Sequence, residues 1–156
     1  MDVVDSVTRS RMMAGIQGKN TKPELLVRSY LHSCGYRFRL HRRDLPGRPD
    51  LVLPKYRLAI FVHGCFWHRH SGCMYAVTPK SRRSFWEEKL AGNVRRDEVQ
   101  LSRLNDMGWR VLVVWECGLK HSFNTIFCLQ DMIAALDMLQ QSWPSVPPRP
   151  LVVDHM

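Results

Sequence analysis

The sequence predicts an α/β fold, a mixed central sheet flanked by helices. Three observations carry this. The apolar runs Asp50 to Leu53, Arg57 to His63 and Trp109 to Trp115 are short and continuous, as buried strands are. A long helical pattern from Ser84 to Met107 separates the last two. A helix placed there carries the chain back across the sheet, which makes those two strands parallel. The element order is helix, three strands, helix, strand, helix, an arrangement that buries a sheet between helices.

Taken in order, residues 1–20 are polar and basic, with Met12 and Met13 between Arg11 and Ala14. Thr8 to Ile16 reads as a short helix or a mobile arm. Thr21-Lys22-Pro23-Glu24 has the form of a capping box with proline in the first turn. Leu25, Leu26, Tyr30 and Leu31 then offer an apolar helical face, which Gly35 ends. Tyr36 to Leu40 alternates apolar and basic residues as a strand does. Turns at Pro46-Gly47-Arg48-Pro49 and Pro54-Lys55-Tyr56 make a three-strand meander. Residues 64–83 have no regular pattern. The helix from Ser84 presents Leu90, Val94, Leu101 and Leu104 on one face, and Gly108 stops it. Phe123 to Leu139 reads as an amphipathic closing helix, and the Pro-rich 144–156 as a loosely held tail. The expected organisation is an arm over 1–20, one domain over 21–143 and the tail.

Length and composition narrow the function. At 156 residues with 45% hydrophobic residues, the chain suits one compact core. A formal net charge of +9 and a pI near 9.8 favour a polyanionic partner, because neutralising phosphates releases counterions. Arg37, Arg39, His41, Arg42 and Arg43 form one basic cluster, and Lys80, Arg82 and Arg83 another. No apolar run reaches the roughly 18 residues of a membrane span, and Met1-Asp2 opens no signal peptide. A cytoplasmic protein is expected, where disulfides are rare. Cysteine is present in an odd number, five. Cys34 and Cys128 lie among apolar neighbours and are expected to be small buried hydrophobes.

The remaining cysteines belong to the most distinctive stretch, His63-Gly64-Cys65-Phe66-Trp67-His68-Arg69-His70-Ser71-Gly72-Cys73. Soft metal ligands, spare imidazoles and rings able to stack on bases lie together here. This mixture points to a metal-dependent enzyme acting on nucleic acid. Cys65, His70 and Cys73 offer three ligands, and Cys117, just past a strand, is the candidate fourth for a tetrahedral zinc. Four protein ligands make that ion structural, holding a long irregular loop. Asp50 opens a strand and faces the one ending at Val62-His63. A carboxylate there can bind Mg²⁺ with waters and a substrate phosphate. His63 and His68, not needed for zinc, can transfer protons near neutral pH. Glu24 is a further acid, either a helix cap or metal support.

Several motifs together resemble the very-short-patch-repair DNA mismatch endonucleases. They are Thr8 to Met13, Lys22-Pro23-Glu24, Leu45 to Asp50, Phe61 to His68, Phe85 to Lys89, Asn93 to Asp97 and Gly108 to Cys117. The resemblance spans roughly residues 8–120 and implies a restriction-endonuclease-like fold. It implies a Mg²⁺-dependent single-strand nick on the 5′ side of the thymine in T·G mismatches left by deamination of 5-methylcytosine. Residue by residue, Asp50 matches the metal-binding aspartate and Val62 the position whose backbone carbonyl helps hold Mg²⁺. His63 and His68 match the catalytic histidines, and Glu24 the acid of the early helix. Cys65, His70, Cys73 and Cys117 match the structural Zn²⁺ ligands. Phe66 and Trp67 match aromatics that wedge into the duplex, with Trp86 a further member of that wall. Lys89 and Asn93 look like mismatch or backbone contacts, and Met13, with Met12, like a residue entering the opposite groove. The chain departs from the wider nuclease superfamily at Phe61-Val62-His63, where an acid-x-lysine is usual.

The implied partner is double-stranded DNA bearing a T·G mismatch, met by a monomer functionally linked to a cytosine-5 DNA methyltransferase. Two other readings stay open on the sequence: a nuclease of the same fold without mismatch preference, and a zinc-stabilised DNA-binding module without catalysis.

Overall fold

The computed structural model describes residues 20–149. The arm expected over 1–20, with Met12 and Met13, lies outside the described residues except for Asn20, as do residues 150–156 of the tail. The chain forms two compact units, one up to Tyr36 and one from Arg37.

In the first unit, helix α1 spans Lys22–Ser33. Thr21 is its cap, in extended backbone, with Oγ1 accepting from the Glu24 N–H at 3.4 Å. Glu24 Oε2 in turn accepts from the Asn20 N–H at 3.1 Å and from Arg28 Nη2 at 2.9 Å. The capping box is therefore present, closed one residue further upstream than its usual form. The apolar face differs from the expected one. Leu25 and Leu26 are exposed, whereas Glu24, Val27 and Leu31 are buried. The Arg28 ion pair partners the Glu24 carboxylate, so the buried stripe can begin at an acid, and it runs at the helical spacing from there.

The second unit holds a five-stranded sheet in the order β1-β2-β3-β4-β5. The strands are β1 (Arg39–Leu40), β2 (Leu51–Leu53), β3 (Leu58–His63), β4 (Arg110–Trp115) and β5 (Gln140–Trp143). The meander is as expected: β1, β2 and β3 are antiparallel. Helix α2 (Arg83–Asp106) makes the crossover, and β4 runs parallel to β3. Gly108, at φ +85°, takes the left-handed position past α2. Its N–H reaches Asn105 O at 3.0 Å and the Trp109 N–H reaches Leu104 O at 2.9 Å, the two bonds of a Schellman stop. Phe61, Leu104, Trp109, Val111 and Val113 lie in one buried cluster with Leu45, Val52 and Ala59. The first strand is only the last two residues of the alternating Tyr36–Leu40 run.

The closing helix over Phe123–Leu139 does not form. The chain instead makes α3 (Glu116–His121), a 3₁₀ turn at Phe123–Thr125, and α4 (Cys128–Ala134). Arg110 explains the early stop. It is 5% exposed and donates to the carbonyls of Met132, Ile133, Ala135 and Met138, and to Tyr56 O, at 2.8–3.2 Å. A guanidinium holds these terminal carbonyls, so continuing the helix gains nothing. Released there, the chain adds β5 parallel to β4. The polar run Gln140-Gln141-Ser142 carries no strand signal of its own. It is specified by pairing with Val111–Val113 and by burial of Trp143. Trp143 and Pro144 in turn require Gly118, where an added Cβ would meet their side-chain atoms at 2.8 and 2.6 Å. Cys34 and Cys128 are half-buried rather than buried. Among the described residues, no helix is long and apolar enough to cross a membrane.

Candidate active site and metal centre

The register of β3 and β4 builds the candidate metal centre. His63 is paired with Trp115, so both strands end level. Two residues beyond these ends stand Cys65 and Cys117, and the loop after β3 curls back in tight turns. In them the His70 N–H meets Cys65 O at 3.1 Å and the Cys73 N–H meets His70 O at 3.2 Å. The expected ligands Cys65, His70, Cys73 and Cys117 come together, all buried, with ligand atoms within 4.8 Å of one another. His70 Nδ1 lies 3.7 Å from Cys65 Sγ and 3.3 Å from Cys117 Sγ. Tetrahedral ligation at zinc–sulfur and zinc–nitrogen bond lengths would separate such atoms by about 3.6 Å.

The surroundings fit a cation too. The Cys117 N–H donates to Cys65 Sγ at 3.4 Å, and the His70 ring stacks on Trp115 at 4.1 Å and 5°. Burial pushes the Cys65 thiol up to about 11 and that of Cys117 higher still. Thiols crowded and desolvated in this way become thiolates readily only beside a positive ion.

The second cluster lies at the same end of β3. Asp50 immediately precedes β2, and its Oδ2 accepts the Val62 N–H at 2.7 Å. Carboxylate and strand end are thereby held side by side, and the carboxylate offers hard oxygen atoms. His63 is 6% exposed, and its ring stacks on that of His68 at 3.7 Å and 4°. Burial first, and the neighbouring His68 second, hold His63 well below the ordinary imidazole range, so it is neutral at working pH. His68 Nδ1 lies 2.6 Å from Asp97 Oδ2. A carboxylate only accepts, so the ring donates through Nδ1, and in the neutral ring the lone pair is then on Nε2.

Asp97 is the residue that sequence reasoning did not assign. Its signal is present: in α2 it falls in the stripe Leu90, Val94, Asp97, Leu101, Leu104, spaced four, three, four and three. An acid on an inward apolar face needs a partner. Glu24 is engaged at the start of α1 by Asn20 and Arg28.

Three of the aromatic side chains meet. Phe66 and Trp67 are edge-on at 5.0 Å, and Trp86 lies 5.7 Å from Phe66 and 6.0 Å from Trp67. All three are half-buried, leaving ring surface for a ligand. Asn93 donates from Nδ2 to Trp67 O at 3.1 Å, tying the loop to α2. Lys89, one helical turn earlier, is exposed. Met13 lies outside the described residues.

Comparison with known proteins agrees with this geometry. Residues 1–74 match the family profile of DNA mismatch endonuclease Vsr. The chain is 55% identical over 111 residues to the Type II nicking enzyme V.XorIIP of Xanthomonas oryzae pv. oryzae, across 71% of this chain and 81% of that protein. The chain belongs to the Vsr family. It is also 48% identical over 119 residues to DNA mismatch endonuclease Vsr of Escherichia coli, 76% of each chain. Identity to the Type II nicking enzyme V.NmeAIP of Neisseria meningitidis is 44% over 120 residues, covering 77% and 85%. The sheet and its flanking helices are thus a Vsr, restriction-endonuclease-like fold, and the protein is a DNA endonuclease. Membership sets aside the non-catalytic DNA-binding reading.

Proposed function

We propose that the protein nicks one strand of duplex DNA at T·G mismatches arising from 5-methylcytosine, on the 5′ side of the thymine and with Mg²⁺. The observations that support this reading are two: Asp50 is hydrogen-bonded to Val62 near the end of β3, and the next residue, His63, stacks on the His68 ring that Asp97 holds. Asp50 and the Val62 carbonyl are the residues that would hold Mg²⁺, which when bound supplies positive charge to the scissile phosphate. His68, oriented by Asp97, accepts the proton of the attacking water at Nε2, and Asp97 steadies the imidazolium that results. Neutral His63 packs against that ring and orients water without adding charge. Imidazole thus takes the place of the superfamily's lysine. Glu24 is a further proposed acid of the reaction, beside its role at the start of α1.

Zn²⁺ is the proposed ion of the Cys65, His70, Cys73 and Cys117 centre, with a structural role. Bound there, it would stiffen the loop that carries Phe66 and Trp67. Those rings, with Trp86, would wedge beside the mismatch, where unstacking costs least because pairing is already poor. Lys89, Asn93 and Met13 are proposed contacts to the mismatch or backbone. Residues 21–143 would act as the nuclease domain, 1–20 as a DNA-contacting arm and 144–156 as a tail. We further propose a cytoplasmic monomer that serves the lesions of a cytosine-5 DNA methyltransferase.

The deciding test compares nicking of T·G and matched duplexes of the same flanks, with and without Mg²⁺. Cleavage of the T·G duplex alone, and only with Mg²⁺, is expected. Equal cleavage of both would favour a nuclease of this fold without mismatch preference. Asp50→Ala should bind DNA and not cut it.

A further inference from the structure

We infer that Arg82 and Phe85 form a second DNA contact beside the three-ring wall, with Phe85 stacking on a base and Arg82 neutralising a phosphate. The inference rests on the reading of Phe66, Trp67 and Trp86 as a duplex-facing wall. Phe85 extends that wall as a fourth ring. Its centroid is 5.4 Å from Trp86, edge-on at 76°, and the side chain is 45% exposed. A phenyl ring left this open beside three others offers a face on which any base can stack.

Arg82 makes the position specific to a polyanion. Its guanidinium lies 4.4 Å over the Phe85 ring. Among the described residues that guanidinium has no hydrogen bond or carboxylate partner, whereas the adjacent Arg83 is paired with Glu87 at 2.8 Å. The five N–H donors of Arg82 are therefore available to phosphate oxygens. Its backbone adds a separate sign. Arg82 sits at φ +55°, ψ +42°, a left-handed conformation that disfavours a side chain. Arg69 repeats the arrangement at the other end of the wall, at φ +53° with its guanidinium 5.9 Å over Phe66. Arg69, however, spends its donors on Phe66 O and Thr78 Oγ1, at 3.4 and 3.0 Å. One arginine braces the wall and the other faces outward.

The test is equilibrium binding of the full chain to a T·G duplex in EDTA, which prevents cutting, across a salt titration. Phe85→Ala and Phe85→Leu should each raise Kd about tenfold and leave the salt slope unchanged, as loss of one stacked base predicts. Arg82→Gln should lower the slope of log K against log salt by about one, as loss of one phosphate contact predicts. Arg82→Gly, which suits the left-handed backbone, should do the same with an unchanged melting temperature. Wild-type Kd in the Phe85 variants, or a wild-type slope in both Arg82 variants, overturns the inference. Trp67→Ala is the control. Loss of affinity there but not at Phe85 rejects this contact alone, while no loss at either rejects the wall as well.

Discussion

Asp97→Asn isolates the proton-transfer step from everything else in the site. The substitution keeps the side chain's shape and removes its charge. Asparagine can also offer an N–H to His68 Nδ1, which would then accept, placing the ring proton on Nε2 where the base needs a lone pair. The size of the effect follows from the geometry. At 2.6 Å and an effective dielectric near 20, the attraction between an imidazolium and a carboxylate is about 6 kcal/mol. The His68 and Asp97 side chains are 30% and 18% exposed, so solvent screening removes roughly half or more of this. The remaining 2–3 kcal/mol corresponds to a roughly 30- to 150-fold slower single-turnover nick. The assay is single-turnover cleavage of a T·G duplex at saturating protein, with Kd measured separately in EDTA. Kd should stay within about twofold of wild type, because the carboxylate faces His68 and not the DNA. A rate within threefold of wild type, or a loss accounted for by weaker binding, would refute the role given to Asp97.

Three further outcomes are expected. Cys117→Ser should leave protein that retains less than one equivalent of zinc by elemental analysis and melts well below wild type, since a structural ion contributes directly to folding; full metal content would remove the four-ligand centre. Arg110→Leu should lower unfolding free energy in urea by about 3 kcal/mol or more, because the buried carbonyl of Ile133 and the part-buried ones of Met132, Ala135 and Met138 lose their donor; a loss under about 1 kcal/mol would show that water replaces the guanidinium. Asn93→Ala frees the Trp67 carbonyl and should weaken T·G binding about fivefold, near 1 kcal/mol, with little change in matched-duplex binding; unchanged T·G affinity would mean that the loop is held without it.

Much of this molecule was readable in the order of its residues. The meander, the crossover helix and the parallel β4 follow from periodicity and from the length of the connections, which are local properties. The Cys65, His70, Cys73 and Cys117 cluster and the His63–His68 pair stood out in the sequence because chemistry of the proposed kind needs particular residue types. Packing alone does not place three buried ligands in nine residues. Asp97 was also written there, as an acid within an apolar stripe, but its meaning waits on knowing what the stripe faces.

Tertiary structure decided the rest, for one physical reason: groups distant in the chain changed what was locally favourable. Glu24, with Arg28 and Asn20 as partners, is buried, whereas the more apolar Leu25 and Leu26 are exposed. Arg110, some twenty residues upstream of the helix it terminates, took the carbonyls that would have carried α4 onward. Gln140-Gln141-Ser142 became a strand because β4 had an unpaired edge, and no side-chain pattern in those three residues says so. The meeting of Cys65 with Cys117 needed the register of β3 on β4, set by the hydrogen-bond ladder from Leu58 to His63. Local sequence specified which elements and which chemistry this chain has; the pairing of distant backbone determined where each element stops and which side chains share a site.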